Sequence, residues 1–416
     1  MWKIPGLGTG TLLAMLALPL AGVIAAGIPA VAVADQQAGG WRKEIADKAA
    51  AAQAAGKKGD FREAIRVLQE AKARGPLQPQ EEQGVNELLI WAASNTKDHR
   101  LVIKTVDERI ATGRVSGRDL VAKLRLKATS HYALSDYRGA IDALQRLATA
   151  AGSSTADDLI LLGNSQFQVR DYRAAATTLD RAVTAAEKAG KPARTIGPLL
   201  EMLNKAYFEL QDEPRRMATL HRLMAVAPKT SVFDQLVNAY QRDSKGDAVV
   251  MINLYRLGAA RSLLAGDHFI HYAEAALDLS SPGEAVAMIE KGMSSGAIKR
   301  DDRNNRLLAD AKAQVEKLKS AVPQQEREAI AMASGDAEAR LATVYFTLRN
   351  FPKVTEAARR GVDKGRVRRM DDLHMLLGIA LVETRKGTEA RDAFKAAGTA
   401  NAQMKGVADL WTTVAT

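Results

Sequence analysis

The stretch Leu162-Gly163-Asn164-Ser165-Gln166-Phe167-Gln168-Val169-Arg170-Asp171-Tyr172-Arg173-Ala174-Ala175, continued by Leu179 and Ala182, decides the fold. Its apolar and small residues fall at helical spacing on both sides of Arg170-Asp171, a polar pair suited to a turn. The reading is two helices joined by a sharp reversal. Gly163 lacks a side chain, so the second helix can lie close to the first. Tyr172 fills the wedge at the turn, Ala175 is small where the helices cross, and Leu179 is expected to face the next repeat.

The frame recurs. Phe61, Ala64, Leu68 and Ala71 follow Gly59-Asp60, and Tyr137, Ala140, Leu144 and Leu147 follow Ser135-Asp136. Tyr207, Leu220, Leu223 and Pro228 continue it, then Ala285 and Ile289, then Tyr345, Phe351 and Ala358, and last Leu377-Gly378, Ala390, Phe394 and Ala397. The crossing positions of the second helix are 64, 140, 175, 216, 285, 354 and 390. The spacings 35, 41 and 36 are one repeat, whereas 76 and 69 are two. The better-formed repeats cover about 50–75, 120–150, 157–228 and 335–400, and degenerate pairs are expected near 84–112, 245–258 and 303–333.

This pattern resembles the tetratricopeptide repeat (TPR), a helix pair of about 34 residues. The resemblance implies an all-α, right-handed superhelical solenoid of antiparallel helix pairs, about nine to ten over 35–416. Stacking repeats bury their faces only against neighbours, so length alone does not imply several globular domains. The turn-rich stretches Arg74–Gln80, Ala151–Thr155, Gly190–Gly197 and Ser294–Arg300 are the expected joints.

Composition agrees. Hydrophobic residues make up 47% and aromatics only 5%, with much Ala, which suits closely packed helices rather than sheets. Cysteine is absent, which excludes disulfides, thiol catalysis and cysteine metal sites. The formal net charge is +11, of which Lys3 is the only charge in the first 34 residues. Such a balance can suit nucleic acid, anionic lipid or an acidic protein. Basic residues cluster only briefly, at Arg359-Arg360 and Lys364–Arg369, with no aromatic interleaving, so a solvated basic surface is expected and no nucleic acid.

Residues 1–34 read as a signal peptide: Lys3, an apolar stretch from Leu12 to Ile28, then Ala32-Val33-Ala34. Cleavage after Ala34 would release a periplasmic protein with no membrane span. The alternative is an inner-membrane protein anchored by the uncleaved segment.

A narrower resemblance lies in the second half. Ser281-Pro282-Gly283-Glu284-Ala285, then Ile289-Glu290-Lys291-Gly292-Met293, and finally Leu376-Leu377-Gly378-Ile379-Ala380-Leu381 look like the periplasmic TPR protein associated with TonB–ExbB–ExbD systems of proteobacteria. That resemblance implies an adaptor or scaffold in an energy-transducing transport complex. An envelope-assembly or chaperone-like factor, for secretion, polysaccharide export or outer-membrane protein traffic, is the alternative.

Signatures of catalysis were sought. Gly6–Gly10 holds a Gly-x-Gly, but it lies in the leader and follows no strand. No phosphate loop or Gly-x-Ser-x-Gly occurs. His268 and His271 share a helix face, yet an ordinary first helix with Phe269 and Tyr272 inward explains them better than a metal. Glu326 and Glu328 are two apart and do not face each other. No cofactor or metal is expected, and no enzymatic activity.

In the repeat family the groove is lined by the first helix of each pair. Carried onto this chain, the groove places are Arg125, Thr129 and Tyr132; Ile160, Asn164 and Phe167; Glu201, Lys205 and Phe208; Asp234, Asn238 and Gln241; then Thr343 and Phe346. Aromatic bodies beside amide and cationic tips suit an extended or helical peptide. Thr129 and Glu201 stand where the family's clamp for a terminal carboxylate wants Asn and Lys, so protein partners in general are expected, not that clamp.

Overall fold

A computed structural model describes residues 40–243 and 247–415. The leader expected over 1–34 lies outside them. Among the described residues there are twenty α-helices and no strand. They pack chiefly as consecutive pairs, in line with the nine to ten pairs expected. Contacts divide the chain into two compact units, Met1–Asp212 and Glu213–Thr416. The division falls inside 157–228, which the sequence reads as one run of repeats.

The first unit contains α1 (Lys43–Lys57), α2 (Phe61–Ala73), α3 (Pro79–Asn95), α4 (His99–Ala111), α5 (Gly117–Ala133), α6 (Tyr137–Ala151), α7 (Ala156–Gln168), α8 (Tyr172–Lys188) and α9 (Ala193–Glu209). Helices pair as α1/α2, α3/α4, α5/α6 and α7/α8, and α9 packs on α8. The α3/α4 pair occupies the 84–112 stretch.

One turn makes the reversal inside three of these pairs, α3/α4, α5/α6 and α7/α8. Lys97, Ser135 and Arg170 are left-handed, with φ of 57, 59 and 64°. Each precedes an Asp whose side chain accepts from the N–H three residues on, at 3.0 Å for Asp98 and Asp136 and 3.1 Å for Asp171. Each Asp N–H in turn reaches back to the carbonyl five residues earlier: Ala93, His131 or Gln166. Capping of about 1 kcal/mol offsets a left-handed penalty of similar size, and the chain reverses in three residues.

The crossing positions behave as the frame requires: Ala64, Ala140 and Ala175 are fully buried. At Gly163 an added Cβ would lie 2.8 Å from the Leu179 side chain. Leu179 therefore packs on the first helix of its own pair. The glycine opens a slot that the Leu of the second helix fills. At the wedge, Phe167 and Tyr172 meet edge to face at 5.3 Å, as Tyr132 and Tyr137 do at 5.4 Å.

The second unit contains α10 (Glu213–Val226), α11 (Thr230–Asp243), α12 (Ala248–Ala260), α13 (His268–Asp278), α14 (Pro282–Ser294), α15 (Asp302–Ala331), α16 (Asp336–Thr347), α17 (Phe351–Lys364), α18 (Met370–Glu383), α19 (Gly387–Ala397) and α20 (Ala402–Thr412). Helices α13/α14, α16/α17 and α18/α19 are close pairs. The left-handed turn returns at Ser280, Arg349 and Arg385.

Two features depart from a plain repeat. Over 303–333 the expected degenerate pair is instead the single 30-residue helix α15. That stretch holds Pro323 but no glycine and no capped turn, so nothing reverses the chain. Leu308, Ala311, Val315, Leu318 and Val322 keep a 3,4 spacing that suits one uninterrupted helix. Over 245–258, α12 is a lone helix buried from Val249 to Gly258 on every face. A helix this largely apolar, with Asn253 and Arg256 as its strongly polar buried residues, belongs inside a protein, and α12 packs against α11, α13 and α20. The terminal helix α20 seals it: Trp411 Nε1 donates to the Asn253 carbonyl at 3.0 Å.

Candidate functional site

The first helices of three successive repeats, α5, α7 and α9, carry nine of the expected groove residues. Arg125 is not free for a ligand. Its Nε and Nη2 donate to Asp158 at 2.7 and 2.8 Å, tying α5 to the start of α7. Burial pushes the Asp158 carboxyl up, but Arg125 and Thr155 outweigh it and its pKa falls below the usual range. Asp158 also closes a capping box with Thr155. Sequence reasoning missed this pair. Thr155-x-x-Asp158 is a visible cap signal, but its Arg partner lies 33 residues away.

Thr129 is half-buried and its hydroxyl donates to the Leu126 carbonyl at 2.9 Å, a bond within its own helix. Tyr132 is half-buried against Tyr137. Ile160, expected in the groove, is buried. Asn164 is 3% exposed, and its side-chain oxygen has no hydrogen-bond partner. An unmatched buried acceptor costs about 1–3 kcal/mol, which an incoming N–H or a water would relieve. Lys205 Nζ lies over the Phe167 ring at 5.6 Å, and Phe208 on the same helix is 55% exposed. Glu201 is half-buried. Phe167 and Lys205 are thus in contact, Phe208 lies exposed on the helix of Lys205, and the Asn164 oxygen is buried on the helix of Phe167.

The remaining places belong to the second unit. Asn238 and Gln241 are exposed on α11, and Asp234 lies 3.3 Å from His268 Nε2. His268 Nδ1 accepts from the Ala265 N–H at 3.3 Å, so both ring nitrogens are engaged and His268 presents no lone pair to a metal. Burial lowers its pKa against the pull of Asp234. Phe346 is not open groove: it is buried, edge-on to Phe351, with the Arg256 guanidinium 4.7 Å over its ring. Thr343 borders a cleft of about 240 Å³ between α16, α18 and Val367–Arg369, also lined by Arg340 and Asp372.

The second unit also contains a buried polar cluster that the sequence did not announce. Arg256 holds Glu284 with two bonds of 2.9 and 2.7 Å, Asn253 at 3.0 Å and Asp372 at 3.6 Å. Tyr272 and Ser281 donate to Glu284, each at 2.6 Å. Every group is matched within the protein, so the cluster fixes α12 against α13, α14 and α18.

These units make the chain a TPR-like repeat protein. No known family model matches its sequence, and no curated protein does. Solved structures similar to it include TPR proteins. One is the TPR2AB domain–pHSP90 complex of yeast Sti1, with 13% identity over 72% of this chain and 100% of that one, TM-score 0.25. Another is a tetratricopeptide repeat protein of Parabacteroides merdae, with 12% identity over 65% and 100%, TM-score 0.34. A third is Naa15/Naa10 bound to HypK-THB, with 14% identity over 87% of this chain and 54% of that one, TM-score 0.41. Superpositions this loose transfer no residue's role.

Proposed function

We propose that the chain is a protein-binding scaffold, not an enzyme, and that the α5–α7–α9 face of the first unit takes an extended or helical segment of its partner. The observation that carries this is Asn164: a buried side-chain oxygen without a hydrogen-bond partner, on the same face as the exposed Phe208 and the Lys205–Phe167 contact. A peptide N–H would satisfy the oxygen, and an apolar residue would cover Phe208. A photo-crosslinking residue at Phe208 should capture a partner that the same residue at exposed Glu187 on α8 does not. Equal capture at both positions overturns the assignment of the face.

The setting is proposed as the periplasm, supported by the leader pattern over 1–34. The assembly is proposed as a TonB–ExbB–ExbD-type complex, supported by the sequence likeness of 281–298 and 372–381. Crosslinking in intact envelope followed by purification tests both. Recovery of TonB-system subunits supports the reading; recovery of outer-membrane assembly factors alone favours an envelope-assembly role and sinks it.

A further inference from the structure

The corner between α15 and α16 exposes Ile330 at 68% and Met332 at 51%, two of the four large apolar side chains exposed among the described residues. Exposed Ala331 and Ala333 complete an uncharged tip. Its backbone is partly satisfied from below: Lys364 Nζ donates to the Ala329 and Ile330 carbonyls, at 2.5 and 3.2 Å. Around it stands the Lys364–Arg369 cluster. Ser334 Oγ donates to the Arg366 carbonyl at 3.0 Å, Gly335 N–H to Gly365 at 2.8 Å, and Arg368 N–H to Asp336 at 2.8 Å. These bonds set the exposed Arg366 and Arg368 beside the tip, with exposed Arg327 and Arg340 on the adjoining helices.

The acids nearby are largely committed. Glu338 is shared by Arg360 and Lys364, and Glu326 is held by Lys353. Exposed Glu328 and Asp363 remain, against four exposed arginines with no ion pair within 4 Å among the described residues.

We propose that this corner docks the second unit on the surface of an anionic lipid bilayer, with Ile330 and Met332 entering the interface and Arg327, Arg340, Arg366 and Arg368 meeting the headgroups. A protruding apolar tip ringed by cations fits a soft anionic surface. A partner protein would need a matching concavity. The proposal is independent of the peptide-binding face on the first unit.

The chain has no cysteine, so Met332→Cys carrying an environment-sensitive fluorophore is a single-site probe in the full-length protein. Its emission should shift to the blue with phosphatidylcholine vesicles containing phosphatidylglycerol, and not with phosphatidylcholine alone. The same label at exposed Lys319, midway along α15, should not shift; this separates the corner from insertion by the apolar residues 12–28. Arg366→Asn, which keeps a residue tolerant of left-handed φ, and Arg368→Gln should each weaken partitioning about fivefold. Ile330→Ser should reduce it without changing circular dichroism. No shift at residue 332 on anionic vesicles, an equal shift at Lys319→Cys, or an equal shift on zwitterionic vesicles overturns the proposal. So does a shift with soluble polyglutamate but none with vesicles, which would assign the corner to an acidic protein.

Discussion

Arg256 on α12 and Glu284 on α14 form a two-bond ion pair of 2.9 and 2.7 Å with at most 9% of either side chain exposed. Burial alone would disfavour both charges, but each outweighs the other's cost, so Arg256 is raised and Glu284 lowered in pKa. Deleting one member leaves the other buried and unmatched. Arg256→Ala should therefore cost about 3–5 kcal/mol in urea unfolding. Arg256→Met combined with Glu284→Gln should cost clearly less, because no lone charge remains. Equal losses for the single and double variants would show that packing of α12, not the pair, dominates.

Trp411 closes the second unit over α12. Its ring is 2% exposed and stacks on Phe394 with centroids 5.6 Å apart. Trp411→Ala should lower stability by about 3–5 kcal/mol. Trp411→Phe keeps most of the ring but leaves the Asn253 carbonyl without its donor, and should cost about 1–2 kcal/mol. Thermal unfolding of the two variants separates filling of space from the hydrogen bond.

The repeat was legible because its requirements are local. A small residue must stand where two helices cross, and an Asp must cap the helix after a left-handed residue; Gly163, Ala175 and Arg170-Asp171 state both within 13 residues. Helix α15 was misread because the frame was extended by spacing across a stretch with no turn in it. The run Val249–Leu257, apolar apart from Asn253 and Arg256, carries the mark of a buried helix, but what would surround it depends on Trp411 and Asp372, more than 100 residues on. In the candidate site, Phe208, Lys205 and Asn164 were named by position in the frame alone. The same frame named Ile160 and Phe346, which are buried, and the Arg256 that covers Phe346 comes from a helix 90 residues earlier.

The turn itself can be tested. Asp136→Ala and Asp171→Ala should each destabilise the first unit by about 1 kcal/mol. Asp136 also meets His131 Nδ1 at 2.7 Å, but the two caps share no partner, so their effects should add within about 0.5 kcal/mol. Asp171→Asn should be nearly silent, since the amide oxygen can accept the same N–H.

Three histidines of the second unit, His221, His268 and His374, have pKa values lowered by burial. A base depressed in the folded state is protonated more readily in the unfolded chain. Its contribution is whole above the unfolded value near 6.5 and is lost as pH falls through the folded value. The melting temperature should thus hold above about pH 6.5 and decline below it. His374 has its Nδ1 buried with no hydrogen-bond partner, and burial outweighs the pull of Asp371 on its charged form. His374→Phe should flatten the decline between pH 6.5 and 5; an unchanged slope would place the acid sensitivity elsewhere.

The face proposed for binding mixes scaffold with contact surface, and the two can be told apart. Arg125 holds Asp158, whose side chain is only 5% exposed, so Arg125→Ala strands a buried carboxylate. It should lower both stability, by about 1–3 kcal/mol, and partner capture. Phe208 is exposed, and Phe208→Ala should leave stability within about 0.5 kcal/mol while reducing capture several-fold. Asn164→Ala removes the unmatched oxygen and should keep or raise stability, yet weaken capture. That opposition is the signature of a group held for a ligand at some expense to the fold. If Asn164→Ala and Phe208→Ala both leave capture unchanged, the partner does not use the α5–α7–α9 face.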